Sequence, residues 1–216
     1  MNSVFRRRDF NRLAVGLFAL GLSSHAVGTT AKSANILVVG DSLSAEYGIA
    51  RGTGWVALLD KQLAKDKPQW QVINASISGD TTAGGLARLS TLLRQHQPKV
   101  VVIELGGNDA LRGFPLKTTE NNLIQMVTAC YKAKAAVLLI GMQVPPNYGQ
   151  EYAQEFSRMF VRISQQQRTQ LVPFMLKGVA DAADPTALFQ PDRIHPKAQA
   201  HPIILSNVWP VLKRML

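Results

Sequence analysis

Cysteine is nearly absent from this chain: of 216 residues only Cys130 is one. No intrachain disulfide can form, and no cysteine-based zinc cluster can be assembled. Charge is sparse as well, with 18% Asp, Glu, Lys and Arg against 46% hydrophobic residues, a balance that excludes long disorder. The 16 Gly and 11 Pro follow no period, which removes collagen-like and low-complexity readings. Long apolar runs are also missing. The run from Leu13 to Leu22 is about half of the roughly 20 residues a bilayer span needs. An integral membrane protein is therefore not expected.

What is present at the start is a three-part pattern. Arg6, Arg7, Arg8 and Arg12 flank the apolar run, and small residues from Ser23 to Ala31 follow it. A basic start, a short apolar middle and a small-residue end form an export signal, so residues 1–28 are read as a leader and 33–216 as a single domain. Ala26 and Gly28 suit a cleavage near Gly28, with Ala31 as the alternative. Arg7-Arg8-Asp9-Phe10 resembles a twin-arginine signal, although Asn11 departs from that pattern, and ordinary secretion stands beside it. A periplasmic or secreted protein is expected.

Loss of the leader removes four Arg and one Asp, taking the formal net charge from +10 to +7. The remaining Lys and Arg are dispersed, with no basic run after Lys32 and no zinc-finger or aromatic RNA-binding signature. A nucleic-acid partner is not expected; a weak attraction to anionic lipid surfaces is, along with a monomeric state and a small-molecule substrate.

From residue 35 onward short β-branched runs alternate with amphipathic stretches. The strands are expected at Ile36–Val39, Trp70–Ala75, Val100–Leu105, Val137–Met142 and Leu171–Phe174. Helices are expected at Gly54–Lys65, Thr82–His96, Thr118–Ala133 and Glu151–Gln167. A last one should run from about Ala198 to Leu216, with Pro202 in its first turn or marking a restart. In the second helix Leu86, Leu89, Leu92 and Leu93 recur on one face. Alternation of this kind makes an α/β protein: a three-layer α/β/α arrangement around a five-stranded parallel sheet, with its ligand at the carboxyl ends of the strands.

Four groups of residues fall at that rim. The first strand runs into Gly40-Asp41-Ser42-Leu43-Ser44, where a turn followed by a helix start is the plain reading. Ser44 occupies the place of the second glycine of a Gly-x-Ser-x-Gly elbow, so the ordinary α/β-hydrolase pattern is not met. The second strand reaches Gly79, which permits a backbone conformation and a close approach closed to other residues. The third ends in Gly106-Gly107-Asn108-Asp109, leaving an amide side chain at the sheet edge. Near the C-terminus, Asp192 and His195 stand three apart between Pro191 and Pro196, where carboxylate and imidazole can pair and leave one ring nitrogen as a base. The other histidines compete poorly, His25 lying in the leader, His96 at a polar helix end and His201 in a helix without a nearby acid. A serine that needs a base, a histidine that needs an orienting acid and an amide able to meet an oxyanion are chemically complementary.

At these residues the sequence resembles the GDSL, or SGNH, hydrolase family. Within it, the stretches 72–81 and 104–113 are similar to those of the exported bacterial subgroup of combined thioesterases, lysophospholipases and arylesterases. The resemblance implies a flavodoxin-like five-stranded sheet, with Ser42 as nucleophile, His195 as base and Asp192 as its orienting acid. It further implies an oxyanion hole from the backbone N–H groups of Ser42 and Gly79 and the side chain of Asn108. Matching loops in the subgroup line an acyl groove, which points to Leu111, Phe114, Val144 and Pro145 as substrate-binding residues. No metal and no cofactor is implied. Asp41 and Asp109 are read as loop-ordering residues. Glu46 and Arg193 depart from the subgroup's small residues at those places and bear on the charge at the site's entrance. A carbohydrate-ester deacetylase and a non-catalytic exported lipid-binding protein on the same fold are the alternative functions.

Overall fold

The computed structural model describes residues 34–144, 146–184 and 186–216; the leader expected at 1–28 lies outside them. Five strands form one parallel sheet: β1 (Ala34–Gly40), β2 (Trp70–Asn74), β3 (Val100–Glu104), β4 (Ala136–Ile140) and β5 (Gln170–Val172), in the order β2-β1-β3-β4-β5. The two central strands read as unbroken apolar runs because both of their faces are covered. Ile36 to Val39 and Val101 to Ile103 are fully buried, whereas β2 and the short β5 keep edge exposure.

The helices follow from apolar spacing and from what closes their ends. In α1 (Trp55–Asp66), Trp55, Val56, Leu59 and Leu63 form the buried stripe. Helix α2 (Thr82–His96) buries Leu89 and Leu93, is capped by Thr81 Oγ1 accepting from the Gly84 N–H, and ends at left-handed Gln97. Helices α4 (Leu116–Lys132) and α5 (Gln150–Gln167) bury Leu123, Met126, Val127 and Cys130, and Phe156, Met159, Phe160 and Ile163. The rings of Phe156 and Phe160 meet edge-on with centroids 5.2 Å apart. Helix α6 (His201–Leu212) carries Pro202 in its first turn, where a missing N–H costs nothing. Helices α1 and α6 pack together on one face of the sheet, and α2, α4 and α5 on the other.

Two local differences from the sequence reading matter for function. The chain after Gly40 runs through consecutive turns and reaches a helix only at Trp55, so Ser42 sits on a turn and caps no helix. Residues read as a loop after β3 form a one-turn helix, α3 (Gly107–Leu111), because Gly106 adopts φ 115° and redirects the chain.

The path from β1 to β2 runs toward one sheet edge, and every later crossover runs toward the other. Right-handed crossovers then place the intervening helices on opposite faces, and the reversal opens a crevice beyond the ends of β1 and β3. Both strand ends carry polar residues from the expected site.

Gly141, just past β4, donates to the Val172 carbonyl at 2.7 Å, and a Cβ there would collide with the Pro173 carbonyl. Gly141→Ala should therefore destabilise the fold by about 1–3 kcal/mol, the range for forced overpacking. Urea denaturation followed by tryptophan fluorescence measures this, and an unchanged midpoint would show that the β4–β5 junction yields freely.

Candidate active site

Ser42 meets the neighbouring pair Asp192 and His195 across a separation of 153 residues in the chain. The Ser42 Oγ lies 2.8 Å from His195 Nε2, and His195 Nδ1 lies 2.6 Å from Asp192 Oδ2. The other Asp192 oxygen accepts the backbone N–H groups of Ile194 and His195, both at 3.0 Å. With the carboxylate as its partner, Nδ1 carries the ring proton and Nε2 is left to accept from the serine hydroxyl. Burial raises the Asp192 pKa, but the His195 backbone and ring hydrogen bonds, the Ile194 N–H and the imidazole charge outweigh it and bring the carboxyl down to about 2. Asp192 thus stays ionised across the neutral and mildly acidic range.

The histidine loop is a closed turn. Phe189 pairs with Pro196 as an antiparallel bridge, Gln190 N–H donates to the His195 carbonyl at 2.8 Å, and Arg193 N–H donates to the Gln190 carbonyl at 2.9 Å. Gln190 Nε2 also donates to the carbonyls of Tyr47 and Pro196, joining this loop to the serine turn. The Tyr47 ring lies against the imidazole with centroids 4.3 Å apart. Neither Tyr47 nor Gln190 stood out in the sequence, since a tyrosine and a glutamine in loops carry no spacing signal.

Asn108 stands in α3 with its Nδ2 donating to Asp41 Oδ2 at 3.0 Å. That contact sets the amide orientation and consumes one of its two N–H bonds, leaving the second for a ligand. Asp41 is buried, and its other oxygen accepts the Leu43 N–H at 3.0 Å. Asp109 anchors the same short helix from below, accepting the Thr82 N–H at 2.9 Å and the Thr82 hydroxyl at 2.5 Å. Both aspartates order their loops, as the sequence suggested.

A cavity of about 560 Å³ opens from Ser42, His195 and Asn108. Leu111, Met142, Val144, Phe174, Leu176 and Phe189 are among its apolar lining residues, and Gln143, Asp181, Thr186 and Arg193 add polar side chains. The wall after β5 was missed in the sequence. Phe174 closes the expected strand Leu171–Phe174, and Leu176 and Ala180 follow it closely; that cluster was the available signal.

The remaining expectations divide. Phe114 does not line the cavity; it is 40% exposed, just beyond α3. Pro145 lies outside the described residues. Gly79 is not part of the lining either, and its carbonyl accepts from Arg112 Nη2 at 2.9 Å. Its φ of 78° favours glycine, but no close approach requires one, since an added Cβ would have Arg112 Nη2 as its nearest neighbour at 3.8 Å. Glu46 is committed to structure and does not stand free at the entrance: its Oε1 accepts the N–H groups of Gly52 and Gly54 at 2.8 and 2.7 Å. Arg193 does line the cavity, held at φ 58°. His201 has a carboxylate in range after all. Burial lowers its pKa against the opposing charge of Glu46, and its Nδ1 accepts the Trp55 N–H at 3.0 Å, fastening α6 to α1.

Burial pushes the Asp41 carboxyl up to about 6, against its hydrogen bonds from Leu43 and Asn108 and the charge of His195. A folded-state value above the unfolded one means that the group favours the fold fully below about pH 4, and that this contribution is lost as pH rises through about 6. Asp41→Asn should therefore gain on the native protein between pH 4 and pH 7, by up to about 3 kcal/mol. Thermal melts of both proteins across that window check the sign; a constant difference would mean that Asp41 titrates normally.

The chain matches the model of the GDSL-like lipase/acylhydrolase family over residues 38–203. It is 50% identical over 186 residues to the esterase TesA of Pseudomonas aeruginosa, covering 86% of this chain and 91% of that protein. It is 42% identical over 169 residues to thioesterase 1/protease 1/lysophospholipase L1 of Escherichia coli, covering 78% of each. The crystal structure of TesA superimposes with a TM-score of 0.81 at 50% identity, over 84% of this chain and 99% of that one. A match across most of the chain, on a fold that places a serine, a histidine and an aspartate in line, has one meaning: this protein belongs to the GDSL-like lipase/acylhydrolase family.

Proposed function

We propose that this chain is a serine esterase and thioesterase acting on acyl esters, with Ser42 as nucleophile, His195 as general base and acid, and Asp192 as the group that orients it. The observation that carries this reading is the Asp192–His195–Ser42 relay, at 2.6 and 2.8 Å, opening onto an apolar cavity. His195 Nε2 takes the Ser42 proton as Oγ attacks the acyl carbon. The oxyanion is held by the free N–H of Asn108 and the backbone N–H of Ser42, with the backbone N–H of Gly79, which stands outside the cavity lining, as the third donor that the family resemblance implies. The imidazolium then gives its proton to the departing thiolate or alkoxide, leaving an acyl-enzyme. Water, deprotonated by the same nitrogen, releases the acid and restores Ser42. These steps call for no metal or organic cofactor.

The cavity's lining supports an acyl chain over a sugar. Leu111, Met142, Val144, Phe174 and Leu176 offer contact to methylenes, and outside the proposed catalytic groups and Asp41 only Gln143, Asp181, Thr186 and Arg193 add polar side chains. The named esterase and thioesterase relatives point the same way. Residues 1–28 we read as an export leader, removed near Gly28, so that the enzyme works outside the cytoplasm as a monomer. No helix among the described residues is long and apolar enough to cross a membrane. Mass determination of the protein recovered from periplasm or medium tests the leader, and a full-length mass would refute it.

Ser42→Ala should abolish ester and thioester hydrolysis in a folded protein, and an organophosphonate should label Ser42 stoichiometrically. Turnover near the native level in the variant would remove the mechanism, while retained lipid binding without any turnover in the native protein would favour a carrier. Asn108→Ala should lower kcat by roughly a hundred- to a thousandfold at little-changed KM, the loss for one oxyanion donor. A change confined to KM would make Asn108 a ground-state contact.

Each substrate methylene buried is worth about 0.8 kcal/mol. Leu111→Ala and Val144→Ala should therefore reduce kcat/KM for octanoyl esters several-fold more than for acetyl esters. Equal losses on both would show that these residues support the fold and do not read the chain.

A further inference from the structure

A buried carboxyl that the proposed mechanism leaves unused lies directly beneath the nucleophile turn. Glu104 ends β3, is 2% exposed, and is the register partner of Gly40 at the end of β1. Its Oε2 accepts the Ser44 hydroxyl at 2.7 Å and the Asp41 N–H at 3.3 Å. Ser44 is fully enclosed, and its oxygen in turn accepts the Trp55 indole N–H at 3.2 Å. Room for the carboxyl exists because residue 40 is glycine: a Cβ there would stand 2.8 Å from Glu104 Oε2 and 2.9 Å from Ser44 Oγ. Glu104 therefore grips the residues on both sides of Ser42, one through its backbone and one through its side chain.

We propose that Glu104 is a positioning residue of the hydrolase, an uncharged hydrogen-bond acceptor that sets the Asp41–Ser44 turn and through it both the Ser42 hydroxyl and the Asn108 amide. The inference rests on the serine-hydrolase reading above. The link to Ser42 is direct chain continuity between two gripped neighbours. The link to Asn108 runs through Asp41, whose backbone is held by Glu104 and whose side chain holds the Asn108 Nδ2 at 3.0 Å. Asp41 must be the ionised member of the two, because both of its oxygens accept hydrogen bonds, from Leu43 and from Asn108. A second full charge alongside it in a dry site would be costly. Burial first, and then the Asp41 charge, push Glu104 well above the ordinary carboxylate range, the direction that favours its uncharged form. Neutral Glu104 has one consequence that a charge-bearing role would not share: glutamine can replace it, since the amide oxygen accepts the same two donors.

The test compares Glu104→Gln, Glu104→Ala and Ser44→Ala with the native protein. Each preparation is normalised to the Ser42 sites labelled by an organophosphonate, so that unfolded protein does not enter kcat. Glu104→Gln should keep kcat per labelled site within about threefold. Glu104→Ala should lower it about ten- to a hundredfold at nearly constant KM, since a displacement on the order of an ångström costs up to about a hundredfold. Ser44→Ala, which removes one of the two grips, should fall between them and decides the matter if Glu104→Ala does not fold. A Glu104→Gln loss as large as that of Glu104→Ala overturns the uncharged-acceptor role. Native kcat per labelled site in both Glu104→Ala and Ser44→Ala overturns the positioning role altogether. Failure of the native protein to hydrolyse esters and to label at Ser42 would instead defeat the serine-hydrolase reading.

Discussion

The pairing of Gly40 with Glu104, where β1 and β3 run side by side, is the contact on which the site depends. The two strands lie together at the point where the sheet's connections reverse direction, so nothing crosses over their ends and a crevice remains. One strand delivers the serine two residues later and the other delivers the asparagine four residues later. With no side chain at residue 40, the carboxyl of Glu104 can occupy the space between the two deliveries. A sheet with another strand between β1 and β3 would move Ser42 and Asn108 apart by a further strand width.

Around that contact the site divides into a polar floor and an apolar mouth. The floor is dry and nearly saturated: Asp41, Ser44, Glu104 and Asp109 are all buried, and each has hydrogen-bond partners at normal distances. Buried carboxyls are costly unless paired or protonated; Asp109 is satisfied by Thr82, and burial together with the Asp41 charge pushes Glu104 toward its uncharged form. In return the floor is stiff, because moving any one member breaks bonds in its neighbours. The mouth, with Leu111, Val144, Leu176 and Phe189, offers area and few directional contacts. In the proposed reaction, the floor sets geometry and the mouth supplies contact for a substrate chain.

Much of the site was legible in the chain because its members stand in short local patterns at strand ends. Ser42 after Gly40-Asp41, Asn108 after two glycines, and Asp192 three residues before His195 could each be marked by type and spacing. The strands were legible for a similar reason, since a doubly covered parallel strand has to be an unbroken apolar run, as in Val100–Glu104. Phe114 was misassigned because an aromatic after α3 looks the same in sequence whether it turns toward the cavity or away from it. Glu46 was misassigned because a carboxylate near a nucleophile suggests charge at the entrance, while its partners, Gly52 and Gly54, lie on a turn whose path has no sequence period.

The sequence by itself determined the α/β class, the order of strands and helices along the chain, and which serine, histidine and aspartate the fold brings into contact. These properties are written in local pattern, through apolar periodicity, helix ends and residue type, and local pattern survives without knowledge of what lies opposite. Only the tertiary structure decided that Tyr47 covers the imidazole, that Phe174, Leu176, Ala180 and Phe189 line the cavity, and that Glu104 lies under the serine turn. Each of those contacts joins segments far apart in the chain, as the 60 residues between Ser44 and Glu104 show. Which distant groups meet is set by strand order and register, and the protonation of a carboxyl is set by the charges and burial it meets there.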